Sequence, residues 1–331
     1  MKSLYELKDG SIVSSTSEQA NILVYTTPTE PEKHELMETL QLDQHDLESA
    51  LDPDEISRVD VTPDYIYTIW KRPNNVSFEQ ALKFEVSSLG LFLQKDKLTI
   101  ILGESTAPFG YREFHGVTSL GGVTLKLFLH TIHHFLGHLK VIKQINAELQ
   151  SKLNLTMENR YLLQMFTLGE SLIYYLNALE ANSLVLTKVR ASAEKIGFSQ
   201  DEIEMIDDII IEHKQCTRQT QILSSVLSGL MEARGSIVNN NMNLLLKNLT
   251  LINVVFLPLN LLASIGGMSE FSMMTGRVHW SIAYPILLLT MIGLGWATYV
   301  LIVRKIERVH LKPRKISLVR TFRKKLGLKA R

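Results

Sequence analysis

The sequence is short of cysteine and of net charge. Cys216 is the single cysteine among 331 residues, and the formal net charge is only +1 at pH 7. One cysteine cannot form a disulfide within the chain, which fits a reducing location for the surrounding domain. The mean hydropathy of +0.06 is that of a soluble protein, so any membrane segment has to be sought locally rather than in the average.

Motifs of hydrolytic enzymes are also absent. The chain contains no phosphate-binding loop, no nucleophile elbow and no HExxH zinc motif, so we expect no enzymatic activity. Residues 1–11 lack the apolar core of a signal peptide, so we expect no cleaved leader.

Charged residues are missing from two long stretches towards the C-terminus. No Asp, Glu, Lys or Arg occurs in residues 248–269 or 278–303, and each stretch has the length of about 20 residues that a helix needs to cross a bilayer. We therefore predict a first transmembrane helix at 247–267, an external loop at 268–281 and a second transmembrane helix at 282–303.

The flanking charges predict the orientation of these helices. Lysine and arginine are dense in residues 304–331, whereas the loop between the helices has only Glu270 and Arg277 as charged residues. Because basic segments stay in the cytoplasm, we predict that both termini are cytoplasmic. A basic tail can also bind nucleic acid, but beside a membrane helix it more often sets topology and contacts lipid headgroups, so we expect no nucleic-acid partner.

The first predicted membrane helix carries polar residues at steps of three and four, a spacing that places them on one face. The candidate pore-lining residues are Asn243, Leu246, Thr250, Asn253, Leu257, Asn260, Ser264 and Gly267. The residues predicted to face lipid are Val254, Val255, Phe256, Leu259, Leu261 and Leu262. Inward amides suit a water-filled axis and the tightly held water shell of Mg²⁺. The alternative is hydrogen bonding between helices of an ordinary bundle.

A pore of this kind needs more than one chain. A two-helix hairpin cannot enclose an axis by itself, so a channel requires several copies in a closed ring. The expected partners are therefore copies of the same chain, the lipid bilayer and divalent metal ions.

The residues before the membrane segment predict a mixed α/β domain at 1–125. Within it we expect strands at 21–27 and 65–71, helical structure at 32–51 and a β-hairpin at 88–103.

Residues 126–246 are predicted to be helical and to end in a stalk. Ser199 and Glu202 have the spacing of a capping box, which marks a helix start. No loop-like cluster follows from Gln200 to Gly266. We therefore predict one continuous helix of roughly 100 Å.

Acidic residues near the start of that helix are candidate metal ligands. Asp207, Asp208 and Glu212 lie in the run EMIDDIIIEH, and His213 extends the same patch. In a ring of subunits such carboxylates would repel one another, and a bound divalent cation would relieve the repulsion. The alternative is a solvated acidic turn.

Histidines are concentrated in the helical segment upstream. His130, His134 and His138 fall on one helical face, and histidines four residues apart can share a Zn²⁺ ion. No carboxylate or cysteine lies within the segment, and packing between helices is the alternative.

The membrane-entry region resembles that of the CorA-type divalent-cation transport proteins. The matching residues are Asn243, LKNLT at 246–250, FLPL at 256–259 and the stretch from Ala263 to Met268. Residues 41–73 and 87–104 are similar to that family's N-terminal helix, the strand after it and the next hairpin, so the resemblance covers nearly the whole chain.

The resemblance implies an α+β fold with an N-terminal cytoplasmic mixed α/β domain, a long stalk helix and a C-terminal hairpin of two transmembrane helices. It further implies a funnel-shaped homopentamer that transports divalent cations across the inner (plasma) membrane, with no tightly bound cofactor. Asp208 falls where the family has an acid of its cytosolic regulatory metal site.

The outer mouth departs from the family's pattern. The family has Gly-Met-Asn followed by Met-Pro-Glu, whereas this chain has Gly267, Met268 and Ser269, then Glu270, without that proline. A ring of serine hydroxyls is wider than a ring of amides, so we expect relaxed selectivity among Mg²⁺, Zn²⁺, Co²⁺ and Ni²⁺. The departure leaves a second hypothesis open, a membrane-anchored structural or sensory oligomer that has lost transport.

Overall fold

The computed structural model describes residues 1–17, 20–40, 43–74, 83–103, 109, 114–155, 159–274 and 276–310. The chain divides into two compact units, Met1–Ala233 and Arg234–Arg331. Residues 311–331 of the predicted basic tail lie outside the described residues.

The first unit contains a mixed sheet, seven-stranded within the described residues. Its strands are β1 Lys2–Lys8, β2 Ser11–Ser15, β3 Ile22–Thr26, β4 Arg58–Val61, β5 Tyr65–Pro73, β6 Val86–Gln94 and β7 Leu98–Leu102. The spatial order is β2-β1-β3-β7-β6-β5-β4, and the pairs are antiparallel except for the parallel pair β3 and β7. The predicted hairpin at 88–103 is confirmed as β6 and β7, which turn back at Gln94 and Lys97.

Both faces of this sheet are covered, which explains why its central strands are apolar almost throughout. Leu23 and Tyr25 of β3 belong to the core beneath helices α1 (Glu30–Leu40) and α2 (Gln44–Leu51). Ile22 and Val24 point to the opposite face, where the larger core lies. Three long helices supply the other side of that core: α3 Leu120–Leu155, α4 Asn159–Ile196 and α5 Gln200–Gly266.

Two parts of this unit differ from the sequence expectation. The helical stretch at 32–51 does end at Leu51, but it consists of two helices, because Asp43, directly before α2, is extended (φ −65°, ψ 146°). The hairpin of β1 and β2 was missed. Its sequence signal is Asp9-Gly10, whose positive φ values of 50° and 72° are those of a tight hairpin turn.

A buried amide links α4 to the sheet. The side chain of Asn182 accepts hydrogen bonds from the Lys71 backbone N–H at 2.9 Å and from Ser57 Oγ at 2.7 Å. Its amide nitrogen donates to the Lys71 carbonyl at 2.8 Å. The asparagine thus pairs with β5 as a neighbouring strand would, and both its oxygen and its nitrogen are hydrogen-bonded although it is fully buried.

The start of α5 follows the predicted chemistry. Gly197 has φ +86° and ends α4 in the left-handed region that favours glycine. The Ser199 N–H then donates to Glu202 Oε2 at 2.7 Å, and the Glu202 N–H donates to Ser199 Oγ at 3.3 Å. This confirms the capping box, and α5 runs over Gln200–Gly266 as predicted, with Pro258 inside it.

The second unit consists, in its described part, of the end of α5, the short helix α6 (Ser269–Met274) and α7 (Trp280–His310). A Cβ on Gly266 would lie 2.7 Å from Leu287, and one on Gly295 would lie 3.3 Å from Leu259. The later residue of α5 is thus beside the earlier residue of α7, and the earlier residue of α5 is beside the later one of α7, so the two helices are antiparallel. The two glycines allow the helices to approach closely.

Two segments of the described chain are long and apolar enough to cross a membrane, one in Gln200–Gly266 and one at Ser281–Ile302. Only 6% of each apolar window is buried within the chain. A core helix of a soluble protein would be mostly buried, so these apolar surfaces need a cover from outside the single chain.

Candidate ion pathway and metal-binding residues

The polar stripe predicted from the sequence lies along one exposed side of α5. Asn243, Leu246, Thr250, Asn253, Leu257, Asn260, Ser264 and Gly267 are all solvent-exposed in the single chain. The Thr250 hydroxyl donates to the Leu246 carbonyl at 2.8 Å, so its proton is used within the helix. No side-chain hydrogen bond of Asn253 or Asn260 occurs among the described residues. Their amides are therefore available to groups outside the chain.

The other side of α5 is the one that meets α7. The shielded positions in this part of the helix are Leu251, Val255, Pro258, Leu259, Leu262 and Gly266. At about 100° per residue, these positions lie opposite the polar stripe. Val255, Leu259 and Leu262, which were predicted to face lipid, thus belong to the side shielded within the hairpin. Val254, Phe256 and Leu261 are exposed, as expected for contact with lipid.

The predicted mouth follows α5 directly. The Gly267 N–H still donates to the Ala263 carbonyl, at 3.1 Å. Ser269 begins α6, a helical turn in a segment that was predicted to be a loop. The Ser269 hydroxyl donates to Glu270 Oε2 at 3.1 Å, while Met268 is half exposed. The one hydroxyl and one carboxylate of the predicted mouth are thus adjacent and joined by a hydrogen bond.

The candidate acidic ligands do not converge within one chain. Asp207 is held by a two-pronged ion pair, because Arg190 Nε and Nη2 donate to its two oxygens at 2.7 and 3.0 Å. The same hydrogen bonds lower the pKa of the Asp207 carboxyl. Glu212 Oε2 lies 3.0 Å from His133 Nε2. Asp208 is exposed, one helical turn before Glu212 on the same face.

His213 does not extend that patch, in contrast to the sequence expectation. It is 1% exposed and its ring lies against Trp70, with the centroids 6.3 Å apart. Burial lowers the pKa of His213 to about 4, so the imidazole is neutral at physiological pH. Its Nε2 is buried without a hydrogen-bond partner among the described residues. His213 is therefore a core residue. It follows Glu212 directly in the sequence but lies on another face of α5.

The histidines of α3 lie on one partly buried face. The ring centroids of His134 and His138 are 4.4 Å apart, and those of His130 and His134 are 6.4 Å apart. His138 Nδ1 is 2.6 Å from the Tyr175 hydroxyl. Within the described part of the chain, no group of three His, Cys, Asp or Glu side chains has the geometry to hold one metal ion.

Known proteins share the order of these elements. The family described as CorA-like Mg²⁺ transporter protein matches residues 17–305. The chain belongs to this family. A curated relative, the cobalt/magnesium transport protein CorA of Methanocaldococcus jannaschii, is 24% identical over 269 residues, which cover 75% of this chain and 82% of the relative.

Solved structures share this fold. The complete CorA magnesium transporter of Methanocaldococcus jannaschii superimposes with a TM-score of 0.71 at 19% identity and covers 93% of this chain and 98% of its own. The full-length CmaX protein gives 0.63 at 12% identity, covering 92% and 96%. The cytoplasmic domain of ZntB from Vibrio parahaemolyticus gives 0.51 at 10% identity, covering 71% and 97%.

These matches confirm the family and fold predicted from the sequence: a mixed α/β region, a long helix and two apolar C-terminal helices in the order of a complete CorA chain. The roles of the individual residues at the stripe, the mouth and the acidic patch stay predictions.

Proposed function

We propose that this protein conducts divalent cations across the membrane as a ring of identical subunits, five in number as the family resemblance implies. The observation that carries the proposal is the placement of the polar stripe on α5. It lies on the side away from α7, and Asn253 and Asn260 have no side-chain hydrogen bonds among the described residues. Amides left unpaired in a lipid environment are costly, and a shared aqueous axis removes that cost.

The chemistry of the stripe suits hydrated dications. Mg²⁺ releases its water ligands reluctantly, so a pathway that keeps them needs hydrogen-bond acceptors rather than charged ligands. The carbonyl oxygens of Asn253 and Asn260, repeated around a ring, accept hydrogen bonds from those waters. Leu246 and Leu257 interrupt the polar positions, and rings of leucine can gate by excluding water where the pathway is narrow.

The mouth sets selectivity in this proposal. Ser269 gives a ring of short hydroxyls and Glu270 a ring of carboxylates directly beside it. The carboxylates favour cations over anions, whereas the short hydroxyls hold the water shells loosely. We therefore expect Mg²⁺, Zn²⁺, Co²⁺ and Ni²⁺ all to pass.

Asp208 and Glu212 supply the regulatory acids. They are one turn apart on α5, and Asp208 is exposed. Asp207 is less suited, because Arg190 already neutralises it. Acids that face each other between subunits repel, so a bound dication would stabilise their approach and its loss would loosen the ring. The membrane is the inner (plasma) membrane with both termini in the cytoplasm, supported by the basic residues that follow the second apolar segment.

The test combines assembly and flux. Native mass measurement in mild detergent should give a pentamer, and vesicles that contain the full chain should take up Mg²⁺, Zn²⁺, Co²⁺ and Ni²⁺. A monomer or dimer would contradict the ring. A pentamer with no dication flux would instead support a structural or sensory oligomer on the same fold.

A further inference from the structure

The histidine face of α3 has a feature that the pore does not use. His134 and His138 are one turn apart, and their ring centroids are 4.4 Å apart at an interplanar angle of 67°. Two imidazoles that share one tetrahedral ion at about 2.0–2.1 Å have their ring centres about 5 Å apart, slightly farther than in this structure. The two histidines are therefore close enough to chelate an ion with little rearrangement.

Both imidazoles are neutral and partly accessible. Burial lowers the pKa of His134 to about 4, helped by electrostatic interactions with His138, His130 and Arg72, and burial alone lowers that of His138 to about 4. A neutral imidazole keeps a lone pair for a metal, so protons do not compete at physiological pH. In the described part of the chain, no hydrogen bond of His134 is present.

The surroundings orient His138 for binding through one nitrogen. Its Nδ1 lies 2.6 Å from the hydroxyl of Tyr175, which is fully buried. Phe84 packs edge-on against the same imidazole, with the centroids 5.4 Å apart. When Nδ1–H donates to the Tyr175 oxygen, the lone pair is on Nε2. Metal-binding histidines are usually held by such a second hydrogen bond.

We propose that His134 and His138 form a binding site in the first unit for a borderline divalent cation such as Zn²⁺, Ni²⁺ or Co²⁺. Water completes the coordination. His130 is one turn away on the same face, but its ring is 6.4 Å from that of His134, too far to share the ion in this structure. The site shares no residue with the polar stripe, and its occupancy does not depend on transport.

The chemistry predicts discrimination against Mg²⁺. Imidazole suits Zn²⁺, Ni²⁺ and Co²⁺, whereas Mg²⁺ requires oxygen ligands. The guanidinium of Arg72 acts on His134 electrostatically and opposes any added positive charge. Only an ion with a strong bond to nitrogen overcomes that repulsion. The site would thus bind these transition-metal ions even in an excess of Mg²⁺.

The experiment is Zn²⁺ titration of the full-length protein in detergent by calorimetry, with millimolar Mg²⁺ present to occupy oxygen-ligand sites. We expect a Zn²⁺ site that persists under these conditions and is weakened at least about tenfold by His134→Ala or His138→Ala. His133→Ala is the matched control, because His133 is on the same helix but contacts Glu212. It should leave this site unchanged.

Tyr175→Phe tests whether the Tyr175 hydroxyl positions the His138 ring, as distinct from the packing of the Tyr175 ring against it. It keeps the ring but removes the hydroxyl on His138, and we expect Zn²⁺ affinity to fall about tenfold while both ligands remain. A second readout covers variants that fold poorly: Zn²⁺ should raise the Tm of the unmodified protein and not that of His134→Ala. Equal Zn²⁺ affinity in the unmodified protein and in a His134→Ala/His138→Ala double variant would overturn the proposal. Because Mg²⁺ flux is measured separately, that failure would leave the proposed transport function intact.

Discussion

Asn182 in the first unit and Asn260 in the second carry the same side chain in opposite surroundings. Asn182 is fully buried and makes three hydrogen bonds to Ser57 and Lys71. Asn260 is exposed, and no hydrogen bond of its side chain occurs among the described residues. A satisfied buried amide stabilises the fold that contains it, whereas an unsatisfied amide on an apolar helix has to find its partner outside the chain.

The two parts of α5 show the same contrast. Before Ala233, its buried positions are Ile206, Ile209, His213, Cys216, Thr220 and Leu227, spaced mostly by threes and fours and turned to the core. After Arg234, that spacing recurs in an exposed polar stripe, and apolar side chains cover much of the remaining surface. The same periodicity therefore has two meanings. In the part of α5 before Ala233 it marks the residues packed in the core, and in the apolar part after Arg234 it marks a candidate ion pathway.

The largest expected effect that tests the contrast between Asn182 and Asn260 is a loss of cation transport. Asn260→Leu should reduce dication flux at least about tenfold, because in the proposed pore it would replace a ring of water-binding amides with an apolar collar. Flux into vesicles and native mass measure function and assembly separately. The matched control is Asn248→Leu, the same change about a third of a turn round the helix from Asn260. Equal loss of flux in both variants would mean that the pore-facing side has been assigned wrongly.

The complementary change in the first unit should affect stability instead. Asn182→Ala leaves the Lys71 backbone groups unpaired in the core and should lower the free energy of unfolding by about 2–4 kcal/mol. Hydrogen exchange at the β5 amides of the full-length protein measures it. Asn177→Ala, at an exposed site on the same helix, should change stability by less than about 0.5 kcal/mol. If Asn182→Ala exchanged no faster than Asn177→Ala, the amide would not be what fastens α4 to the sheet.

Acid should destabilise the first unit through His213. Its folded pKa of about 4 lies below the unfolded value of about 6.5, so the unfolded state binds the extra proton between these values. The stability it contributes is complete above about pH 6.5 and is lost as the pH falls to 4, on the order of 3 kcal/mol. His213→Leu should weaken this pH dependence in hydrogen exchange of the sheet without abolishing it, because the pKa values of His134 and His138 are also lowered to about 4. His34→Leu, at an exposed site on α1, should not.

The smallest effect concerns the mouth. Ser269→Asn should raise the preference for Mg²⁺ over Zn²⁺, Co²⁺ and Ni²⁺ a few-fold, because the longer amide holds a water shell more closely. Glu270→Gln should lower the flux of all dications together and leave their ratios unchanged. Competitive uptake with mixed ions measures both variants. Strict Mg²⁺ selectivity in the unmodified protein would contradict the relaxed mouth.

Features encoded locally could be predicted from residue order. The capping box at Ser199 and the uninterrupted helix to Gly266 depend on neighbours within a few residues, and both are present. The two apolar stretches were equally clear, because an uncharged run long enough to cross a bilayer is typical of a membrane-spanning helix. The Asp9-Gly10 hairpin was missed although its signal is just as local.

The sequence alone determined most of the elements, the family resemblance and the polar stripe, because periodicity and local chemistry fix which residues share a face. It did not determine what each face meets. Only the tertiary structure decided that Val255 lies on the side of α5 that is shielded within the hairpin. It also decided that Asp207 forms an ion pair with Arg190 and that His213 is buried against Trp70. These contacts join residues distant in the chain or on different helices, and their partners depend on how whole elements pack.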